Sequence, residues 1–197
     1  TGFAHLFEHM MFQGSNNLGK MEFIKLVQSN GGVLNGSTRF DFTNYFEVVP
    51  SNTLETMLWA EADRLSGLNV DDPNFKSERD VVKEEFRQGV LAPPYGRFEY
   101  LLQQKSFLEH PYKRPTIGSI EDLDAASLKD VQEFHTTYYR PDNATLVVVG
   151  DFDPKQLDAW VDKYFAPIAK PSRPLPRVQV KEPDRKAEIV DRDQPAK

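Results

Sequence analysis

Cysteine is absent from the chain, which excludes disulfide frameworks, thiol catalysis and Cys-ligated zinc. Histidine is scarce, at four residues: His5, His9, His110 and His135. Any metal would therefore be held by His and carboxylates. A basic excess is missing too. The 24 Lys and Arg against 30 Asp and Glu leave a formal charge of −6, which argues against a nucleic-acid partner recognised through bulk charge. No apolar run approaches the roughly 18 residues of a membrane span; stretches such as Leu146 to Val149 are strand-sized.

What is present suits a folded domain. Of 197 residues, 39% are hydrophobic and 12% aromatic, with 14 Phe and 7 Tyr, enough for a core and too much for a disordered chain. The chain starts at Thr1 without a Met and shows no signal peptide, so we read it as a piece of a longer protein.

Apolar spacing predicts a helix within Thr1–Gln13, broken at Gly14, and a second over Met21–Ser29, closed by Asn30-Gly31-Gly32. Two strands are expected at Val33–Thr38 and Thr43–Val49. A helix capped by Ser51 or Asn52 should run to Gly67. Asp71-Asp72-Pro73 opens a long helix reaching about Val90. Further helices are expected near Phe98–Leu108, from the Ser127 cap to Tyr138, and from Asp153-Pro154 to about Ala169. Ala144–Val149 reads as the best strand of the chain. Residues 1–170 form one unit by this reading. Residues 171–197, with Pro171, Pro174, Pro176 and Pro183 amid charge, form a linker, and Lys186–Val190 would begin the next domain.

The chemistry concentrates in His5-Leu6-Phe7-Glu8-His9. Positions four apart share a helix face, so two imidazoles there can share one zinc. Glu8 can address a water at the same metal without being a ligand. The plainer reading is an amphipathic helix carrying two half-buried His. A zinc hydrolase needs a third protein ligand and an open position for water, and the run Glu78 to Glu85 on the long helix supplies carboxylates. Glu85 shares its face with Val81, Val82 and Glu78, whereas Glu84 shares its face with Ser77, Asp80 and Gln88. Glu84 should therefore be solvated and Glu85 inward, where a carboxylate needs a partner or a metal. Glu78, two turns earlier on the same face, suits an acceptor that fixes one ligand imidazole.

With these features the sequence resembles the pitrilysin/insulinase-type zinc peptidases, the inverzincins. The resemblance rests on His5 to His9, on Glu78-Arg79 followed by Glu85, on Gly31-Gly32-Val33-Leu34-Asn35-Gly36 with Thr43-Asn44-Tyr45, and on Arg140-Pro141-Asp142-Asn143 through Gly150-Asp151. It spans about Thr1 to Ala169. It implies that His5, His9 and Glu85 ligate one zinc ion, that Glu8 is the general base, and that Glu78 supports the site. It implies that an edge strand, Leu34-Asn35-Gly36-Ser37, pairs with extended peptide substrate. Gly36 would then permit close approach, and Asn35 would hold the peptide carbonyl. The plainer reading of this segment is an ordinary edge strand with a Gly bulge.

The implied fold is α+β, with helices packed on a mostly antiparallel sheet and the first strands of the unit missing from this piece. The implied activity is zinc-dependent endopeptidase cleavage of peptides or unfolded segments. A second half, in the same chain or a partner subunit, would supply an Arg and a Tyr that hold substrate. The alternative is a non-catalytic scaffold or assembly subunit of the same family. The runs Met11 to Ser15 and Pro93 to Gly96 look most like bacterial members, many of them exported to the periplasm; a mitochondrial location is the alternative. His110 and His135 are expected to be surface or packing residues.

Overall fold

A computed structural model describes residues 1–184 and 186–187. The expected start of a next domain at Lys186–Val190 therefore lies largely outside the described residues.

The order of elements is α1 (Phe3–Met10), α2 (Glu22–Ser29), β1 (Val33–Thr38), β2 (Thr43–Val48), α3 (Leu54–Gly67), α4 (Asp72–Phe86), α5 (Arg97–Ser106), α6 (Ile120–Ala125), α7 (Leu128–Tyr138) and α8 (Pro154–Phe165). This is an α+β arrangement in which helices pack on a small antiparallel sheet. β1 and β2 pair in a simple hairpin register, Gly36 opposite Tyr45 and Thr38 opposite Thr43.

Local chemistry sets most boundaries. Asp71 accepts a hydrogen bond from the Asn74 amide at 2.8 Å and starts α4 with Pro73 in its first turn. Ser127 and Asp130 form a reciprocal capping box at the start of α7, and Asp153 caps α8 through the Gln156 amide. The expected cap of α3 differs. A 3₁₀ turn over Ser51–Thr53 precedes this helix, and Thr53 stands at its N-cap without side-chain capping, its hydroxyl donating to the Pro50 carbonyl instead. Beyond Phe86 the long helix widens into a π-type turn over Arg87–Leu91, just before the Pro93-Pro94 interruption. The short helix α6 was not legible from periodicity, because six residues make less than two turns.

The expected last strand is absent. Ala144–Val149 forms no strand, and Val147 and Val149 are 74% and 89% exposed. β-branched composition favours extended backbone, but a strand also needs a neighbour to accept its ladder. None stands there among the described residues.

The core has two parts. Leu6, Phe7, Met10 and Met11 of α1 and its C-terminal turn pack with Phe75 and Val82 of α4, Leu123 of α6 and Val131 of α7. Phe23 and Val27 of α2 pack with Met57 and Ala60 of α3. α1 is thus clamped between α4, α7 and the hairpin, with one face buried and the other turned toward α4 and β1. The register of α1 is fixed by stacking of Phe7 on Phe134 at 5.4 Å and by contacts with His135 and Tyr139. His135 is therefore a packing residue, as expected.

Arg64 of α3 is 1% exposed. It pairs with Glu61 and, at 3.1 Å, with Glu47 of β2. Its guanidinium stacks over Phe23 at 4.0 Å and Tyr45 at 5.0 Å. Burial and the neighbouring Glu61 carboxylate push the Glu47 carboxyl upward, against the pull of Arg64. The arrangement ties β2 to α3.

Candidate metal centre

α1 carries His5, Glu8 and His9 one turn apart, and the packing of Leu6, Phe7 and Met10 turns them toward α4 and the hairpin. The imidazole centroids lie 5.0 Å apart with planes at 79°. Glu85 reaches across from α4. Its Oε2 lies 3.5 Å from His5 Nε2 and 3.4 Å from His9 Nε2, and one donor atom from each of the three lies within 4.8 Å of the others.

These separations fit a metal. Ligand bonds of 2.0–2.1 Å at tetrahedral angles put donor atoms about 3.4 Å apart. Burial, reinforced by the neighbouring His9, lowers the His5 pKa, with Glu85 and Glu8 opposing, so burial favours the neutral imidazole a metal needs. Among the described residues, this is the cluster of His and carboxylates with such geometry. With two imidazoles and one carboxylate, the donor set matches zinc better than calcium or magnesium, which take oxygen ligands.

Glu78 is 6% exposed, and its Oε2 lies 3.7 Å from His9 Nδ1. That is too long for a formed hydrogen bond but within ion-pair range. Ser77 Oγ donates to Glu78 Oε1 at 3.2 Å. His5 Nδ1 is buried without a hydrogen-bond partner among the described residues, whereas His9 has Glu78 behind it.

Glu85 needs a correction. It faces the two histidines, but its side chain is 45% exposed rather than inward in the sense of buried. Its neighbour Val81 is also exposed, so that edge of the α4 stripe faces solvent. Glu84 is solvated, as expected, and pairs with Arg87 and Gln88.

Glu8 is held from the hairpin. Thr38 Oγ1 donates to Glu8 Oε2 at 2.7 Å. Gly36 lies beneath the same side chain, where an added Cβ would meet Glu8 Cγ at 3.0 Å. Leu34, Asn35, Gly36 and Ser37 all lie in β1, which pairs with β2 along one edge. Asn35 Oδ1 accepts from the Gly36 amide at 2.9 Å, which leaves the Asn35 amide nitrogen as its outward donor. Ser37 Oγ donates to Asn44 Oδ1 at 2.5 Å across the hairpin.

Thr38 received no role from the sequence, although a signal existed. Side chains two apart in a strand share a face, so a Gly36 facing the motif helix carries Thr38 with it. Behind this layer the hydroxyls of Tyr45 and Tyr139 are 2.8 Å apart. Burial pushes Tyr139 up to about 12 and raises Tyr45 well above its ordinary value.

The family model described as insulinase (peptidase family M16) matches residues 1–119, and that described as the peptidase M16 inactive domain matches residues 125–197. The zinc protease PqqE of Helicobacter pylori is 35% identical over 184 residues, covering 93% of this chain and 41% of that protein. The crystal structure of a protease from H. pylori superposes with a TM-score of 0.90 at 35% identity, over 93% of this chain and 45% of that one. The periplasmic protease PqqL of Escherichia coli shares the fold, with a TM-score of 0.77 at 23% identity over 91% of this chain and 20% of that one. The chain thus spans about two fifths of the curated relative it matches.

Proposed function

This chain belongs to the insulinase family of peptidases, family M16, and from that premise we propose that it is the metal-bearing unit of a zinc-dependent endopeptidase acting on peptides or unfolded segments. The observation that carries the reading is the convergence of His5, His9 and Glu85 beside a carboxylate, Glu8, that no cation engages among the described residues.

In this reading His5, His9 and Glu85 hold one zinc ion. When bound, the ion supplies Lewis acidity, lowering the pKa of a water and polarising a carbonyl. Glu8 accepts the proton of the attacking water and returns it to the leaving amine, and no covalent intermediate is required. Glu78 steadies the His9 ring from the buried side. The free edge of β1 at Leu34, Asn35, Gly36 and Ser37 adds an extended peptide strand through backbone hydrogen bonds, which gives affinity with little sequence preference. Asn35, with its carbonyl oxygen engaged by Gly36, offers its amide to the peptide.

The rest of the substrate grip, an Arg and a Tyr, comes from a C-terminal half or a partner subunit, in keeping with the two-fifths coverage of the relative. No helix among the described residues is long and apolar enough to cross a membrane. We assign the protein to the periplasm or another exported compartment by its likeness to bacterial members, and cell fractionation tests this.

The competing reading, a scaffold subunit, gives the convergence of His5, His9 and Glu85 no task. Elemental analysis of the purified protein and its His9→Ala variant separates the two. About one zinc per chain, lost in the variant, supports the peptidase. A folded protein that takes up no added zinc overturns it.

A further inference from the structure

Glu8 has two carboxylate oxygens, and the hairpin treats them differently. Oε2 accepts the hydroxyl of Thr38 at 2.7 Å. Oε1 accepts no hydrogen bond among the described residues. It lies over Gly36, where an added Cβ would stand 3.5 Å from it, so the missing side chain leaves this oxygen uncrowded. Thr38 is 9% exposed, and its hydroxyl is itself held: Thr43 Oγ1 lies 3.2 Å away in the paired register position. A hydroxyl has one proton. Thr38 donates its proton to Glu8, and its oxygen lies against the Thr43 hydroxyl, which also bonds Tyr139.

We propose that Thr38, backed by Thr43, is a positioning residue that locks the Glu8 carboxylate by one oxygen and leaves the other free for proton transfer. The inference rests on the reading of Glu8 as the general base. A glutamate has three side-chain torsions, and an unheld carboxylate samples several rotamers. Positioning by one strong hydrogen bond to a charged acceptor restricts that sampling. The bond comes from the strand proposed to receive substrate, so the base and the peptide share one rigid support.

The test uses the full-length protein with Thr38→Val, which keeps the shape and removes the hydroxyl, and Thr38→Ser, which keeps the hydroxyl. Thr38→Val should lower kcat by roughly 10- to 100-fold, the range for groups that orient site residues, with KM and zinc content unchanged. Thr38→Ser should restore most of kcat. In crystal structures of the metal-free proteins, the Glu8 carboxylate should leave its wild-type position in Thr38→Val and keep it in Thr38→Ser. Undiminished kcat in Thr38→Val, or an equal loss in both variants, overturns the proposal. If Thr38→Val does not fold, Thr43→Val takes its place, with a partial loss of kcat expected and full kcat overturning the proposal. If the wild-type protein cleaves no peptide, the peptidase reading fails. The metal-free structures then decide the positioning claim, and an unmoved Glu8 in Thr38→Val ends it.

Discussion

Glu78 and Glu85 stand two turns apart on one side of α4, and both reach the histidines of α1, yet Glu78 is 6% exposed and the Glu85 side chain 45% exposed. The helix thus enters the site from the core and leaves it at a solvent-exposed end. A buried carboxylate beside His9 can orient a ring. A carboxylate at the open end, 3.4–3.5 Å from both Nε2 atoms, is placed to share a metal with them while leaving room for water and substrate.

Removal of Glu85 should therefore abolish metal binding, whereas removal of Glu84 should not. Glu84 pairs, among the described residues, with Arg87 and Gln88 on its own helix side. Zinc content of Glu85→Ala and Glu84→Ala, measured by elemental analysis, checks this. Equal loss in both would refute the assignment of faces.

Glu8→Gln should retain zinc and lose turnover by at least roughly 100-fold, since general-base catalysis contributes about 10²–10⁴. The amide cannot accept the proton, while His5, His9 and Glu85 are untouched. Peptide cleavage and metal content measured on one preparation test this together; near-wild-type turnover would remove Glu8 from the mechanism.

Arg64→Met should destabilise the protein strongly. It strips Glu47 and Glu61 of their shared cation inside a buried aromatic cage, and breaking a buried pair costs about 3–5 kcal/mol. Thermal unfolding should show a clear fall in Tm. Restoration by the further change Glu61→Gln would identify the carboxylate that Arg64 grips with two nitrogens as the cause, whereas an unchanged Tm in Arg64→Met would sink the account.

His135 makes stability depend on pH. Burial lowers its pKa to about 4, against about 6.5 in an unfolded chain. Between these values the unfolded state binds the extra proton, so the stabilisation is complete above about pH 6.5 and is lost as pH falls toward 4. The slope from this group reaches at most about 1.4 kcal/mol per pH unit. His135→Phe, which keeps the stacking on Phe7 and Tyr139, should flatten the fall of Tm between pH 6.5 and 4. Parallel curves for the two proteins would show that His135 is not responsible.

Much of this was readable in the residues because it is local. The i, i+4 spacing of His5 and His9, the Asp71 and Ser127 caps, and the alternation of the hairpin depend on neighbours in sequence. So does the different facing of Glu84 and Glu85, which follows from helical periodicity. The strand expected at Ala144–Val149 shows the limit, since its composition was right and its partner was not in the described residues.

The sequence by itself determined the candidate metal-binding side chains, their spacing on α1, the acidic run on α4 and the family to which they point, because backbone geometry converts spacing directly into a shared face. Only the tertiary structure decided how far Glu85 opens to solvent, that Arg64 is caged by Phe23 and Tyr45, and that Thr38 reaches Glu8 from 30 residues away. Those relationships depend on how α1, α4 and the hairpin pack in space, and no periodicity along one segment encodes the distance to another.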